Sequence, residues 1–175
     1  MQKLDNLATH DELTSLHNRR SFNTILYREL NHAIRSQNSI AIAMCDIDFF
    51  KKYNDALGHQ AGDRCLQAVS SIMKQTLKRE TDSVARYGGE EFVFILPYTD
   101  AENTKNILDN LHQILADKCI AHPESEVAKY VTLSIGVAAC VPKQGQHMEG
   151  LITQADEALY RAKAAGRNKT ILASI

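Results

Sequence analysis

The stretch that most constrains the fold is RYGGEEFVFILP (86–97), where two glycines interrupt sequence that is typical of β-strands. Glycine permits tight turns, and the apolar run that follows has the length of one buried strand, so we predict a β-hairpin. Glu90 and Glu91 stand at its tip. Adjacent carboxylates repel each other and are unfavourable to bury, so their place at the end of a core hairpin indicates a bound cation.

The rest of the chain alternates between helical and strand patterns. Segments with apolar residues at three- and four-residue steps predict helices at 20–37, 61–79, 100–118 and 149–166, with a shorter helix at 49–58. Short apolar or β-branched runs predict further strands at 39–45, 130–140 and 169–175. The order α–β–α–α–β–β–α–β–α–β, with no repeat and no internal linker, predicts one α/β domain.

Composition limits the class of protein without naming a function. With 20 basic and 21 acidic residues the net charge is −1, so no overall field favours nucleic acid or an anionic membrane. No apolar run approaches the roughly 18 residues of a membrane span, and the four cysteines are far apart with no C-x-x-C. We expect a cytoplasmic domain with reduced core thiols, preceded over residues 1–10 by the stub of a linker helix.

Asp46 follows the first predicted strand, at the carboxyl end where open α/β sheets collect their ligands. If the hairpin neighbours that strand, Asp46 and Glu90 meet at one edge, and the carbonyl of Ile47 is placed to add an oxygen. Mg²⁺ is held by a few such oxygens together with substrate phosphates, and Gly88 lets a bulky ligand approach the main chain. The alternative is a solvated turn with a surface acid.

Four motifs together resemble the GGDEF family of diguanylate cyclases, in its GGEEF form. They are DELTSLHNRR, DIDFFKKYNDALGHQAGD, RYGGEEF and ADEALYRAKAAGRN, in the family's order and spanning 11–168. The resemblance implies a palm-like domain over 11–175, with a central, mostly antiparallel five-stranded sheet flanked by helices. It also implies the condensation of two GTP molecules into cyclic di-GMP with release of pyrophosphate.

The resemblance assigns the metal to the hairpin edge. Asp46, Glu90 and the Ile47 carbonyl would hold Mg²⁺ or Mn²⁺ ions on the triphosphate, where two ions could activate the attacking 3′-hydroxyl and stabilise the leaving pyrophosphate. Two roles stay open for Glu91, either helping the hydroxyl to lose its proton or shaping the turn.

Substrate contacts follow from the same motifs. Asn54 and Asp63 match the family's guanine contacts, and an Asp can accept from two guanine donors that adenine lacks; the alternative for Asp63 is a helix N-cap. Lys163 and Arg167 lie four residues apart at the end of the last long helix, so they would share one helical face, and they match the family's cationic side chains that contact the substrate phosphates. The alternative is that they only stabilise the C-terminus of the helix, where cations are favourable without any ligand. Further contacts with the substrate or its pocket are assigned to Lys51, Phe50 and His59, the last as a residue that structures its loop.

Arg79 and Asp82 form an R-x-x-D motif ahead of Gly88. In the family this is the inhibitory site, where a dimer of the product binds away from the catalytic pocket. A guanidinium can fork onto a phosphate or a guanine edge, and the Asp can accept from guanine. The alternative is a surface ion pair worth at most about 1 kcal/mol.

The implied reaction needs two GTP molecules that face each other, one per subunit, so a homodimer is expected as well as an upstream sensory domain in the parent protein, which could itself be tethered to a membrane. A catalytically inactive relative that only binds GTP or cyclic di-GMP is the alternative from another class. Such domains usually lack the metal-binding carboxylate, the glycines or the cationic side chains that contact phosphate, all of which are present here. A polymerase-like enzyme would need a basic track that this chain lacks.

Overall fold

A computed structural model describes residues 9–174 of the chain. The helices are α1 (Arg19–Ser36), α2 (Phe50–Leu57), α3 (His59–Thr76), α4 (Ala101–Lys118) and α5 (Met148–Ala164). The strands are β1 (Ile40–Ile47), β2 (Ser83–Gly88), β3 (Glu91–Pro97), β4 (Leu133–Cys140) and β5 (Lys169–Leu172). Their order along the chain is the predicted one.

The five strands form one sheet in the order β2–β3–β1–β4–β5. Central β1 is antiparallel to β3 and to β4, and β2 is antiparallel to β3, whereas β4 and β5 are parallel. Helices pack on both faces, and β1 is buried along its whole length. The predicted mixed α/β class, with a mostly antiparallel five-stranded sheet flanked by helices, is confirmed.

Side chains of β1 alternate between two cores, as the pleat of a strand requires. Ile40, Ile42 and Met44 pack with α1 and α5, while the residues between them pack with α3 and α4. The same alternation puts Asp46 on the α1/α5 face. The strand therefore carries its last carboxylate towards the helix that holds Lys163.

Helix α5 lies directly against β4 at Gly136. A Cβ atom there would come within 2.1 Å of the main-chain nitrogen of Leu159 and 2.2 Å of the carbonyl oxygen of Ala155. Only glycine permits this separation, because the neighbouring atoms are main chain and cannot rotate away. The close contact fixes how far the C-terminal end of α5 stands from the end of β1.

Several predicted boundaries are wrong, among them the end of α3 at Thr76 instead of 79 and the end of β1 at Ile47 instead of 45. Helix α3 begins at His59 instead of 61, because Gly58, with a φ of 87°, is both the C-cap of α2 and the N-cap of α3. The GHQAGD segment is thus mostly helix, not a loop structured by His59. Strand β4 begins at Leu133 instead of 130, because Tyr130 pairs with Ala121 in a separate bridge. The last strand ends at Leu172.

All four cysteines are free, as predicted, but Cys119 is exposed and only Cys45 and Cys65 are buried. Within residues 9–174, no helix combines the length and the apolar character that crossing a membrane requires. The predicted N-terminal helical stub, apart from its last two residues, lies outside the described residues.

Candidate active site

The end of β1 and the β2–β3 turn bring the predicted acids to one edge of the sheet. Asp46 is directly opposite Glu91 in the β1–β3 register, so the two side chains are on the same face. The N–H of Ile47 donates to the carbonyl oxygen of Glu90 at 3.3 Å. Glu90 itself lies in the turn between the strands, at the tip of the hairpin as predicted.

Electrostatics at this edge favour an added cation. Burial raises the pKa of Asp46 to about 6; a hydrogen-bonded ion pair with Lys163 opposes the rise, and the carboxylates of Glu90 and Glu91 add to it. Burial also raises the pKa of Asp156 on α5, and the carboxylate of Glu91 adds to that rise. The carboxylates of Asp46, Glu90, Glu91 and Asp156 therefore outnumber the cations Lys163 and Arg19 that act on them. Sequence reasoning did not single out Asp156, although it belongs to the ADEALYRAKAAGRN motif.

The glycines and Arg86 shape the hairpin turn. After a register shift between Arg86 and Gly88, Gly88 pairs with Glu91, and a Cβ at Gly88 would stand 3.4 Å from Glu91 Oε2. The Arg86 guanidinium donates to the carbonyl of Gly89 at 2.9 Å and to both carboxylate oxygens of Asp11 at 3.2 Å. The turn that carries Glu90 is thereby joined to the DELT segment at the start of the domain.

Asp48 is a buried carboxylate that the sequence analysis did not assign. Its Oδ1 accepts from the Ser134 hydroxyl at 2.6 Å, and its Oδ2 accepts from the Thr132 hydroxyl at 2.7 Å and from the N–H of Asn168 at 3.0 Å. These bonds join the end of β1 to the start of β4 and to the turn after α5. Alternation from Asp46 in the DID triplet was the available signal that Asp48 points the same way.

Lys163 and Arg167, the two cationic residues predicted to contact phosphate, do not both lie on the helix as predicted. Helix α5 ends at Ala164, so Lys163 is helical, whereas Arg167 lies beyond the helix with a φ of 62°. The Arg167 N–H donates to the carbonyl of Ala162 at 3.0 Å, and its guanidinium carbon lies 4.4 Å from the centroid of the Phe49 ring. The expected sharing of one helical face is therefore wrong.

Lys51 is exposed in the first turn of α2, and its neighbour Lys52 forms an ion pair with Glu126. Phe50 is buried and stacks on Tyr53, with ring centroids 6.0 Å apart. Phe50 is thus part of the core, and the ring that lies beside the Arg167 guanidinium belongs to Phe49.

The predicted guanine contacts lie where α2 and α3 pack together. A Cβ at Gly62 would stand 1.8 Å from Asn54 Oδ1, so the Asn54 side chain occupies the space that this glycine leaves. That oxygen is buried and has no hydrogen-bond partner among the described residues. Asp63, the residue after Gly62, is exposed and is the fifth residue of α3. It therefore does not cap the helix, and His59 is the exposed first residue of α3.

Arg79 and Asp82 form an ion pair whose two members differ in exposure. The Arg79 side chain is 42% exposed and that of Asp82 only 3%. Arg79 donates to Asp82 Oδ1 at 2.6 Å, to the carbonyl of Pro97 at 3.0 Å and to the Thr99 hydroxyl at 2.6 Å. Two cavities adjoin the pair, one of about 240 Å³ on the side of His10, His17 and Lys74, the other of about 360 Å³ beside Tyr98, Thr99, Asn103 and Ile107.

A divalent ion fits the donor set only with help from a ligand. No three of the described His, Cys, Asp and Glu side chains gather closely enough to hold a metal. Mg²⁺ is usually held by one or two carboxylates with phosphate oxygens and water, so the Asp46 carboxylate beside the Glu90 turn would need such further oxygens to hold it. Hard oxygen donors suit Mg²⁺ and Mn²⁺ better than softer metals.

Comparison with known proteins points to one family. The sequence model of the family described as "Diguanylate cyclase, GGDEF domain" matches residues 8–169. Diguanylate cyclase DgcP of Pseudomonas aeruginosa is 38% identical over 162 residues, which make up 93% of this chain and 23% of that protein. Response regulator PleD of Caulobacter vibrioides is 36% identical over 165 residues, 94% of this chain and 36% of that protein. The chain spans well under half the length of either relative.

Solved structures agree with the sequence matches. The coiled coil and GGDEF domain of DgcB from Caulobacter crescentus, solved in complex with c-di-GMP, is similar with a TM-score of 0.88 and 32% identity, over 98% of this chain and 89% of that one. The active GGEEF domain of a diguanylate cyclase from Vibrio cholerae is similar with a TM-score of 0.79 and 28% identity, over 91% and 99%. Since the family match covers nearly all of the sequence, this chain belongs to the GGDEF domain family of diguanylate cyclases.

Proposed function

We propose that this domain is a diguanylate cyclase, which condenses two GTP molecules into cyclic di-GMP and two pyrophosphates. The observation that carries the proposal is the buried Asp46, whose pKa is raised to about 6 beside the Glu90–Glu91 turn while it is paired with Lys163. A cluster of carboxylates next to a cation suits a metal–triphosphate complex, in which the metal meets the acids and the phosphates meet the ammonium. The relatives named above are the second support.

Asp46, Glu90 and the carbonyl of Ile47 would hold the divalent ion, Mg²⁺ or Mn²⁺. When bound, that ion supplies Lewis-acid stabilisation of charge on the phosphates. In the reaction the 3′-hydroxyl oxygen of one GTP attacks the α-phosphorus of the other, the bond to pyrophosphate breaks, and the hydroxyl proton passes to a base. Glu91, opposite Asp46 on the same face, is the carboxylate we assign to that proton.

The other side chains bind and orient the nucleotide. Lys163 and Arg167 would contact the terminal phosphates, with exposed Lys51 as a further phosphate contact. Asn54, whose buried oxygen lacks a partner among the described residues, and Asp63 on the adjacent turn would read guanine. Gly88 leaves room beside Glu91, while Phe50 and His59 support the pocket indirectly.

The remaining assignments concern control. We propose that turnover needs a homodimer, because each GTP must supply a hydroxyl to the other, and that Arg79 and Asp82 bind cyclic di-GMP as a feedback inhibitor. The domain proper would cover 11–175, with a linker helix before it and a sensory domain further upstream in the parent protein, which could be membrane-tethered. GTP supply and free thiols favour action in the cytoplasm.

Incubation with GTP and Mg²⁺, followed by mass spectrometry for cyclic di-GMP, tests the activity. The variant Glu90→Gln keeps the shape of the side chain and removes its charge, so turnover should fall to background while the thermal unfolding temperature stays near that of the unsubstituted chain. The matched control is Glu102→Gln on α4, an exposed carboxylate outside the site, which should leave turnover unchanged. Parent-like turnover by Glu90→Gln would remove Glu90 from the mechanism.

If the unsubstituted chain binds GTP or cyclic di-GMP but makes no product, it would instead be a receptor. The phosphodiesterase NbdA of Pseudomonas aeruginosa, 33% identical over 165 residues, is named for a different activity on the same dinucleotide. Calorimetric titration of both nucleotides into the parent protein separates this outcome from a protein that binds neither.

A further inference from the structure

His122 is a buried histidine outside every motif named above. It lies in the segment between α4 and β4, with no exposed surface, and its ring packs edge-on against Tyr53 with centroids 5.1 Å apart. Its main-chain N–H donates to the carbonyl of Lys129 at 2.9 Å, which fixes the segment locally. The ring nitrogen Nε2 lies 3.1 Å from the carbonyl oxygen of Phe49.

The hydrogen bond defines which nitrogen carries the proton. A carbonyl oxygen can only accept, so Nε2 is the donor in the neutral ring and Nδ1 is the unprotonated nitrogen. Nδ1 is buried and has no partner among the described residues. Packing alone would not require a polar ring here, because a phenylalanine would fill the same space without leaving a nitrogen unpaired. The bond to Phe49 is therefore the contact that accounts for a histidine.

Phe49 is held in an unfavourable conformation. It is the N-cap of α2 with a φ of 55°, in the left-handed region that bulky side chains rarely adopt, and its side chain makes no capping bond. Its carbonyl oxygen accepts from the N–H of Tyr53 at 3.0 Å as well as from His122. Two donors on one oxygen, one from the helix and one from a segment distant in sequence, hold this carbonyl in place.

Fixing that carbonyl also fixes groups on the side of the active site. A trans peptide is planar, so the N–H of Phe50 points opposite to the Phe49 carbonyl. Phe50 is the first residue of α2, where N–H groups have no partner within the helix and suit an anion. On the same residue, the Phe49 ring lies under the Arg167 guanidinium at 4.4 Å. The His122 bond thus helps, together with that of Tyr53, to orient the residue that carries both a main-chain donor and the ring beside Arg167.

We propose that His122 is a positioning residue, which orients the Phe49–Phe50 peptide and the Phe49 ring so that the Phe50 N–H and Arg167 meet the terminal phosphates of the nucleotide. This role rests on the proposed function, since it presumes that GTP binds at this site. His122 touches no reacting atom and acts only through Phe49. Its loss should weaken binding of a triphosphate and leave binding of a monophosphate unchanged.

The test compares 3′-deoxy-GTP, which lacks the attacking hydroxyl, with GMP, which lacks the terminal phosphates. Calorimetry is carried out on the full chain and on His122→Phe, which keeps a ring against Tyr53 and removes the donor. The Kd for 3′-deoxy-GTP should rise several-fold to about tenfold, the worth of one hydrogen bond, while the Kd for GMP stays within about twofold. His122→Gln, whose amide can donate to the same carbonyl, should restore most of the affinity.

A matched control is His112→Phe. His112 is a half-buried histidine whose Nδ1 also has no partner among the described residues, but its Nε2 lies 3.0 Å from the Thr170 hydroxyl instead of a carbonyl of the Phe49 turn. It should change neither Kd. If His122→Phe does not fold, His122→Asn, whose shorter side chain cannot reach the carbonyl, carries the same expectation.

Three results would overturn the inference. Equal affinities of the parent protein and His122→Phe for the triphosphate would do so, and so would an equal loss for GMP; both leave the proposed function intact. If the unsubstituted chain binds neither 3′-deoxy-GTP nor GMP, that result would overturn the proposed function and this role together.

Discussion

At the scale of single residues, Asp46 shows how the site is prepared for a cation. Burial and two neighbouring carboxylates raise its pKa to about 6, and Lys163 only partly offsets them. Without a metal, the folded protein therefore prefers the protonated carboxyl over much of the acidic range. A bound divalent ion would reverse that preference, since it interacts with the charged form.

This raised pKa predicts a pH-dependent term in stability. Because the folded value, about 6, lies above the unfolded value of 3.8, the contribution of Asp46 is fully present below pH 3.8 and is lost as pH rises through about 6. In metal-free buffer, the unfolding free energy of the parent protein relative to Asp46→Asn should fall by up to about 3 kcal/mol between pH 4 and 7. Urea unfolding of both proteins measures the difference, and a difference that does not vary with pH would contradict the assignment.

The Arg79–Asp82 pair makes more hydrogen bonds to the rest of the fold than an isolated surface ion pair would. Arg79 joins the entry of β2 to the end of β3 through Pro97 and Thr99, and its removal would leave the buried carboxylate of Asp82 without its cation. We therefore expect Arg79→Ala to lower stability by about 1–3 kcal/mol, more than the sequence-based alternative of an exposed pair allowed.

The same change tests the proposed inhibitory site. Arg79→Ala should weaken cyclic di-GMP binding by at least about tenfold, the range of charged hydrogen bonds, and leave turnover at low product close to that of the parent protein. Calorimetry below both unfolding temperatures measures the affinity. Asp82→Asn is the companion variant, which keeps the hydrogen-bonding shape and lacks the charge. Equal product affinity in the parent protein and Arg79→Ala would reject the inhibitory site without touching the cyclase proposal.

At the scale of elements, the contact between α5 and β4 at Gly136 sets the position of Lys163. A methyl group there would meet main-chain atoms of Leu159 and Ala155 at about 2 Å, so Gly136→Ala should displace α5 or unfold the domain. The expected loss of stability is about 3 kcal/mol or more, with loss of GTP binding.

Gly150 on the same helix is the control for this substitution. A Cβ there meets nothing within 4 Å, so Gly150→Ala should be neutral or stabilise the helix by up to about 1 kcal/mol. Thermal unfolding of both variants measures the contrast. A Gly136→Ala protein as stable as Gly150→Ala would show that α5 and β4 can separate without loss.

Elements were predictable where a local pattern determines them. The hairpin and the helices follow from glycine placement and apolar periodicity, whereas the mostly antiparallel five-stranded sheet was implied by the resemblance to the GGDEF family. The start of β4 was not predictable, because the alternation of Tyr130 and its neighbours is satisfied by a bridge to Ala121. Asp48 and His122 were missed because their partners are 73 or more residues away in sequence, as in the bonds of Asp48 to Thr132 and of His122 to Phe49.

At the scale of the whole molecule, the described residues of one chain hold the carboxylates around Asp46 and the cations Lys163 and Arg167, which the proposed mechanism assigns to one GTP. Cyclic di-GMP has two equivalent phosphodiester bonds, each made when the 3′-hydroxyl of one GTP attacks the other, so two loaded sites must face each other. In the proposed mechanism, Asp46 and Lys163 of one chain hold one GTP, and the second GTP is held by the same residues of another chain. Association of two chains is therefore part of the proposed mechanism.

This requirement predicts how turnover depends on dilution. If the isolated chain associates weakly, cyclic di-GMP production per chain should rise with protein concentration while the protein is dilute, then level off as dimers form. A parallel coiled coil fused ahead of Leu4 should raise production per chain at low concentration by increasing the effective concentration of the second subunit. The same coiled coil with a charged residue in its core positions, which prevents pairing, is the control and should behave as the unfused chain. Light scattering run alongside gives the mass at each concentration, and constant production per chain by a protein that scatters as a monomer would show that one chain acts alone.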